Sequence, residues 1–198
     1  MRHNPAVRGS ALTACLATAA ALVASACGNE RTPRPDVATP GPPLGTTAVS
    51  YPKAGIRFAA PGGWKTTPGT LPLVTTSQTG QATVAVWRYP RTEPLPVTLA
   101  DLRRARRALI KAVRKRDKTF RLKSARIKRI RRHPAIDLVG DETVSKHPRR
   151  VRSTHIFALG SEVVVDGYAP VSVFRRLDRT VFRPVVRSLR IGQPRTKA

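Results

Sequence analysis

Between residues 51 and 192 the apolar positions recur with two periods, and the switches between them outline the elements. Ile56-Arg57-Phe58-Ala59-Ala60 alternates and runs into Pro61-Gly62-Gly63-Trp64, which predicts a short strand followed by a turn. Ala82 to Tyr89 alternates again, with Val84 and Val86 on one face and Ala85 and Trp87 on the other. From Leu102 the period lengthens: Leu102, Leu109 and Val113 recur at helical spacing with Ala105 and Ala112 beside them. Thr98-Leu99-Ala100-Asp101 supplies a capping box, since Thr98 can accept from an early backbone N–H while Asp101 reaches back. A helix over 99–116 is therefore expected.

Four strand-like runs follow, Arg121–Arg131, Ala135–Val144, Val151–Leu159 and Glu162–Tyr168, separated by the turn signals His133-Pro134, Lys146-His147-Pro148 and Gly160-Ser161. Connections this short favour antiparallel hairpins. Ser172 is predicted to cap a last helix carrying Phe174, Leu177 and Val181, which Phe182, Val185 and Leu189 continue, with Pro184 breaking or restarting it. Two strands, a helix, four strands and a closing helix predict an α+β fold: a mostly antiparallel sheet flanked by helices.

The first 50 residues follow neither period. Arg2 and Arg8 precede an uncharged, Ala- and Leu-rich run from Ser10 to Ala26, too short to cross a bilayer as a stable helix, which takes about 20 residues. A basic head, an apolar run and small residues before a cut site read as a signal peptide over 1–26. The run ends on Ala24-Ser25-Ala26-Cys27 and then turns polar. That stretch is an A-x-A cleavage site and also resembles a bacterial lipobox, whose cysteine receives a diacylglycerol thioether. Leu12-Thr13-Ala14-Cys15 fits the same letters, but its apolar run is too short and Cys15 is followed by more apolar residues. The chain has two cysteines. Cleavage after Ala26 discards Cys15, which leaves Cys27 as an acylated anchor, a free thiol or an intermolecular half-disulfide. Acylation would tie the chain to the outer face of the cytoplasmic membrane; without it the protein would be secreted.

Residues 28–50 hold five Pro and three Gly among 23 positions and almost nothing large and apolar, so 27–50 reads as lipid-attachment cysteine plus tether. As a flexible coil it would span about 25 Å, and fully extended roughly 70 Å. The globular domain is expected over 51–192, with a short frayed tail at 193–198.

Three stretches of the domain resemble one family. Gly55-Ile56-Arg57-Phe58-Ala59-Ala60-Pro61-Gly62-Gly63-Trp64 looks like the opening G-[hydrophobic]-x-F-x-x-P-x-x-W strand and turn of PsbP-like domains. His133-Pro134-Ala135-Ile136-Asp137-Leu138 resembles their mid-domain G-x-P-A-x-x-L strand, with Arg132 standing where Gly is usual. Arg187-Ser188-Leu189-Arg190-Ile191 resembles their closing S-L. The resemblance implies an α/β/α sandwich, a fold shared by a photosystem II extrinsic subunit, a Ran-binding nuclear import factor and many actinobacterial lipoproteins. It brings no catalytic motif.

Charge changes the picture most. The chain has 37 Lys and Arg against 11 Asp and Glu, a formal +26, and loss of 1–26 leaves +24. Sixteen of the basic residues lie between Arg103 and Arg132, with Asp117 the one acid among them. If Leu102, Leu109 and Val113 face the sheet, then Arg103, Arg104, Arg107, Lys111, Arg114 and Lys115 face outward. Lys123, Arg126, Lys128 and Arg129 on the following strand are expected to extend the same cationic surface. Such a surface would draw in anions over about 8 Å at physiological salt. Its candidate partners are an anionic membrane, a phosphate-bearing cell-wall polymer or an acidic protein. A compositional reading stays open, because 28 of the 37 basic residues are Arg. Phe120 is the one aromatic between Arg103 and Arg132, so the stretch has no stacking platform, and export argues further against nucleic acid.

Enzyme signatures do not emerge. There is no G-x-S-x-G, H-E-x-x-H, Walker loop or dinucleotide-binding glycine run. His133, Asp137 and Asp141 share a strand face but span over about 20 Å, too far for one metal. Ser153, Thr154 and His155 with Asp166 can be arranged on paper as a triad, without the strained turn a nucleophile needs. Glu162 and Asp166, four apart on one strand, are too widely spaced for a glycosidase pair. Trp64 and Trp87 read as core. The expectation is a non-enzymatic envelope binding or structural module without cofactor or metal. The alternatives are an envelope enzyme or small-ligand carrier with an unrecognised pocket, or a nucleic-acid binder.

Overall fold

The structure, a computed structural model, describes residues 40–144 and 146–195. Cys27, the signal segment and most of the tether lie outside the described residues. Among the described residues ten strands and three α-helices form in the order β1 (Thr46–Tyr51), β2 (Ile56–Pro61), β3 (Lys65–Pro68), β4 (Leu73–Thr79), β5 (Ala82–Pro90), α1 (Leu99–Arg116), β6 (Arg121–Ile130), β7 (His133–Val144), β8 (His147–Ala158), β9 (Ser161–Pro170), α2 (Val171–Leu177), α3 (Arg183–Ser188) and β10 (Arg190–Ile191). Every strand pairing is antiparallel. Seven strands make the main sheet, ordered β3-β4-β5-β9-β8-β7-β6, and three make a smaller one, β1-β2-β10. The fold is α+β, a mostly antiparallel sheet flanked by helices.

The two faces of the main sheet are covered unequally. On one, the small sheet, α2 and α3 close over Val84, Val86, Ile156, Val163 and Val165, and this core contains Ile56, Trp64, Phe174 and Phe182. Gly167 belongs to this packing: a Cβ there would lie 2.5 Å from Phe182 Cγ. On the other face α1 stands alone, set by Leu102 and its partly buried neighbours Leu109 and Ile110 against Ile136, Leu138 and Phe157. A helix is about 10–12 Å across, roughly two strand spacings of ~4.8 Å, so one helix cannot roof seven strands. α1 lies on β6 and β7. β8, β9 and β5 are covered only at its margin.

The helix over 99–116 and its capping box form as the spacing predicts: Asp101 N–H donates to Thr98 Oγ1 at 3.1 Å and Thr98 N–H to Asp101 Oδ2 at 3.2 Å. Four strands went unread, β1, β3, β4 and β10. β1 occupies the last residues assigned to the tether and pairs along its whole length with β2. Leu44 donates to the Gly62 carbonyl and Gly62 to the Gly45 carbonyl, each at 2.9 Å, which extends that contact, and Arg176 donates to the Pro40 carbonyl at 3.1 Å. The folded unit thus reaches back to about residue 40, not 51. β1 hides because only Val49 and Tyr51 are even partly buried. In β4 the hidden signal is chemical: Thr75 and Ser77 fill fully buried positions. Their hydroxyls are matched by the Thr67 carbonyl, the Tyr51 hydroxyl and Thr66 at 2.7–2.8 Å.

At the C-terminal end two details differ. α2 begins at Val171 with Pro170 as its cap, so Ser172 is not the cap. The helix then widens into one π turn, Asp178–Phe182, and Pro184 falls in the first turn of the restarted α3, where its missing N–H costs no bond. Residues 193–195 do not fray as expected of the tail: Arg195 N–H donates to the Pro52 carbonyl at 3.0 Å.

Candidate functional site

Because Leu102 and its neighbours fix the rotation of α1, Arg103, Arg104, Arg107, Lys111, Arg114 and Lys115 all turn to solvent and are exposed. Asp101 is the one acid of the helix; it serves the capping box and pairs with Arg104. Arg114, Lys115 and Arg116 sit in the last turn, where the helix dipole favours positive charge.

β6 does not simply widen this ridge. Ala125 and Ile127 pack toward α1, and strand alternation sends Arg126 and Lys128 to the opposite face. Lys128 is not a free outward cation: its Nζ lies 3.0 Å from the buried Asp137 carboxylate. Lys123 pairs with Asp141 at 3.5 Å. Arg129 is exposed and donates to the Arg132 carbonyl. The ten cations therefore divide into a continuous α1 ridge and a sheet edge, β6, with its charges on both sides.

Where α1 leaves the sheet uncovered, a cavity of about 580 Å³ opens beneath its C-terminal half. Its floor is the central strands, with Glu162, Val164, Asp166 and Tyr168 from β9 and Val151, Ser153 and His155 from β8. Its wall is Leu109, Val113 and Arg116 of α1, with Tyr89, Phe120 and Glu142 around the rim. A second cavity of about 530 Å³ continues under the N-terminal half of the helix and shares Arg91, Leu109, Ala112 and Glu162 with the first.

The buried polar groups of the floor are joined. His155 Nδ1 lies 2.7 Å from Glu162 Oε1, and its Nε2 lies 3.0 Å from Ser153 Oγ. In the neutral ring Nδ1 carries the proton toward Glu162 and Nε2 accepts from Ser153; the protonated ring donates at both. Burial would raise the Glu162 carboxyl, but His155 and Arg91, the latter at 2.8 Å, outweigh it and hold the group below its ordinary value. Asp166 and Glu142 go the other way, both pushed up by burial. Tyr168 is raised by burial and by Asp166 beside it.

Hydroxyl, imidazole and carboxylate thus stand in the order of a hydrolytic relay, with Glu162 in the place proposed for Asp166. Thr154 takes no part: it turns to the other face and donates to Asp137 Oδ1 at 2.7 Å. Ser153 sits in mid-strand, with β8 paired on both sides, so no sharp turn presents its hydroxyl and the ladders occupy the surrounding backbone N–H groups. The geometry equips the cavity to hold polar groups and gives it no preformed oxyanion site.

The remaining sequence candidates are structural. Across the sheet Arg152 joins Asp137 to Asp178, which Arg183 also reaches at 2.9 Å. Burial alone would raise Asp137; Arg152, Lys128 and the Thr154 hydroxyl more than offset it and keep the carboxyl low. Among the described residues no three His, Cys, Asp or Glu side chains converge on a metal position. Trp64 is core, whereas Trp87 is half-buried and stacks on Tyr89 at 6.2 Å.

No family model and no curated protein match the chain. Solved structures do. CyanoP, the PsbP of the cyanobacterium Synechocystis sp. PCC 6803, superposes with a TM-score of 0.58 at 16% identity, over 75% of this chain and 93% of that one. LpqN of Mycobacterium tuberculosis, a protein involved in cell envelope biogenesis, superposes with a TM-score of 0.51 at 13% identity, over 75% of this chain and 91% of that one. The fold is PsbP-like.

Proposed function

We propose that this chain is an exported, lipid-anchored, non-enzymatic binding module of a bacterial envelope, which holds an anionic surface against the ridge of α1. One observation carries the reading. Seven exposed cations, Arg116 and the six of the ridge, run along a single 18-residue helix whose one acid is already engaged. Near an anionic bilayer each such residue contributes about 1 kcal/mol, and a basic patch beside an acyl chain makes a two-signal attachment. The role of LpqN in envelope biogenesis is in keeping with this.

Co-sedimentation of Gly28–Ala198, unlipidated, with anionic and with neutral vesicles across a salt series tests it. Binding to anionic vesicles alone is expected, weakening steeply with salt and abolished when Arg103, Arg104, Arg107 and Lys111 are changed to Glu. Failure to bind anionic vesicles at low salt would return the ridge to composition.

A further inference from the structure

The cavity under α1 has no part in that reading, yet its chemistry is unlike the rest of the molecule. Cations outnumber acids more than threefold in this chain, and six of the nine carboxylates among the described residues have taken one. Glu93, Asp101, Asp137, Asp141, Glu162 and Asp178 all lie within 4 Å of a basic group. Asp117 instead accepts from the Thr119 N–H and hydroxyl, both at 2.7 Å. The two that remain without an ion pair, Glu142 and Asp166, line the same cavity. Asp166 does so from β9 at the centre of the sheet, a position where an apolar residue against a helix would be ordinary. Abundant arginine has not closed this space: Arg91 is fixed on Glu162 and Glu93.

We infer that the cavity is a binding site for a small organic cation, an ammonium carried on a short apolar stem, with Asp166 and Glu142 as its counter-charges. The volume of about 580 Å³ is that of a small-molecule site. Tyr89, Phe120 and Tyr168 bring aromatic surface to the lining, which suits a cation. Leu109, Val113, Val151 and Val164 offer the stem an apolar bed, while the Ser153 hydroxyl keeps a lone pair with which to accept from a second polar group. An anionic ligand would meet two carboxylates that no ion pair neutralises, although Ser153 and Tyr168 hydrogen-bond Asp166. Arg116 lines the same space and competes with the guest for their charge.

Phenethylammonium is a suitable probe, beside phenethyl alcohol as its neutral counterpart and phenylacetate as its anionic one. Each is titrated into Gly28–Ala198 by calorimetry and by amide NMR. Phenethylammonium is expected to saturate and to shift amides of β8, β9 and the second half of α1. The alcohol should bind at least about tenfold more weakly, and phenylacetate not at all. Asp166→Asn combined with Glu142→Gln should weaken the ammonium at least about tenfold without lowering the unfolding temperature, and Arg116→Ala should strengthen it. The assignment is overturned if the alcohol or phenylacetate binds as tightly as the ammonium. It is equally overturned if the double variant binds unchanged, or if the ammonium shows no saturable binding up to about 20 mM, beyond the millimolar range expected of so small a ligand.

Discussion

Asp166 and Asp137 lie on opposite faces of one sheet, and their environments give them opposite effects on stability. Asp137 is buried among Arg152, Lys128 and Thr154, which hold its carboxyl low. Its contribution is therefore present above the unfolded-state value and is lost as pH falls through the folded one. Asp137→Asn should cost about 3 kcal/mol near neutrality, because Arg152 stays buried with half its partners gone. Asp166 is raised by burial, so the folded state holds its proton more tightly than the unfolded chain does. Stability is complete below the unfolded value, near 3.9, and drains away as pH rises through the folded value. Thermal unfolding of wild type and Asp166→Asn should give similar midpoints near pH 4, with the variant pulling ahead toward pH 8. A wild type that gains on the variant as pH rises would mean that the cavity already stabilises the ionised carboxylate.

Among the elements, α1 and the loop after it decide whether a cavity exists at all. Phe120, at the end of that loop, packs close on the sheet because β7 presents Gly140 to the edge of its ring, and a Cβ there would overlap that edge. Gly140→Ala should lift Phe120 at a cost of about 2 kcal/mol and disturb the cavity rim without touching a charged group. Urea unfolding measures the first effect and amide shifts along β8 and β9 the second; a neutral substitution would show that the ring can move aside freely. The helix, its cap and the four long strands after it were legible because their buried positions carry apolar residues at period 3.6 or 2. β4 was not, since Thr75 and Ser77 occupy core positions with hydroxyls whose partners lie on other strands. The candidate site was half legible. The ridge follows from helical spacing, and the sequence offers Ser153, His155, Glu162 and Asp166 as suspects. Which carboxylate meets His155 depends on strand register. That these side chains border an open space depends on one helix being narrower than the sheet it covers.

At the scale of the whole molecule, charge is sorted: cations ride on α1 and β6, while Asp166 and Glu142 sit beneath the helix. Attachment at Cys27 would place this arrangement within a tether's reach of a membrane. Cys27→Ala should move the protein from the membrane fraction to the soluble one; firm retention in high salt would show that something other than an acyl chain holds it. The cations of β6 also have an effect that involves no ligand. β6 is the last strand of the main sheet, ten residues long, with one row of backbone donors and acceptors left unpaired. Such an edge invites the same strand of another copy, and like charges at Lys123, Arg126 and Arg129 make that approach repulsive. Charge-swapped variants confined to α1 should stay monodisperse, whereas neutralising β6 exposes an edge through which two copies can join into one continuous sheet.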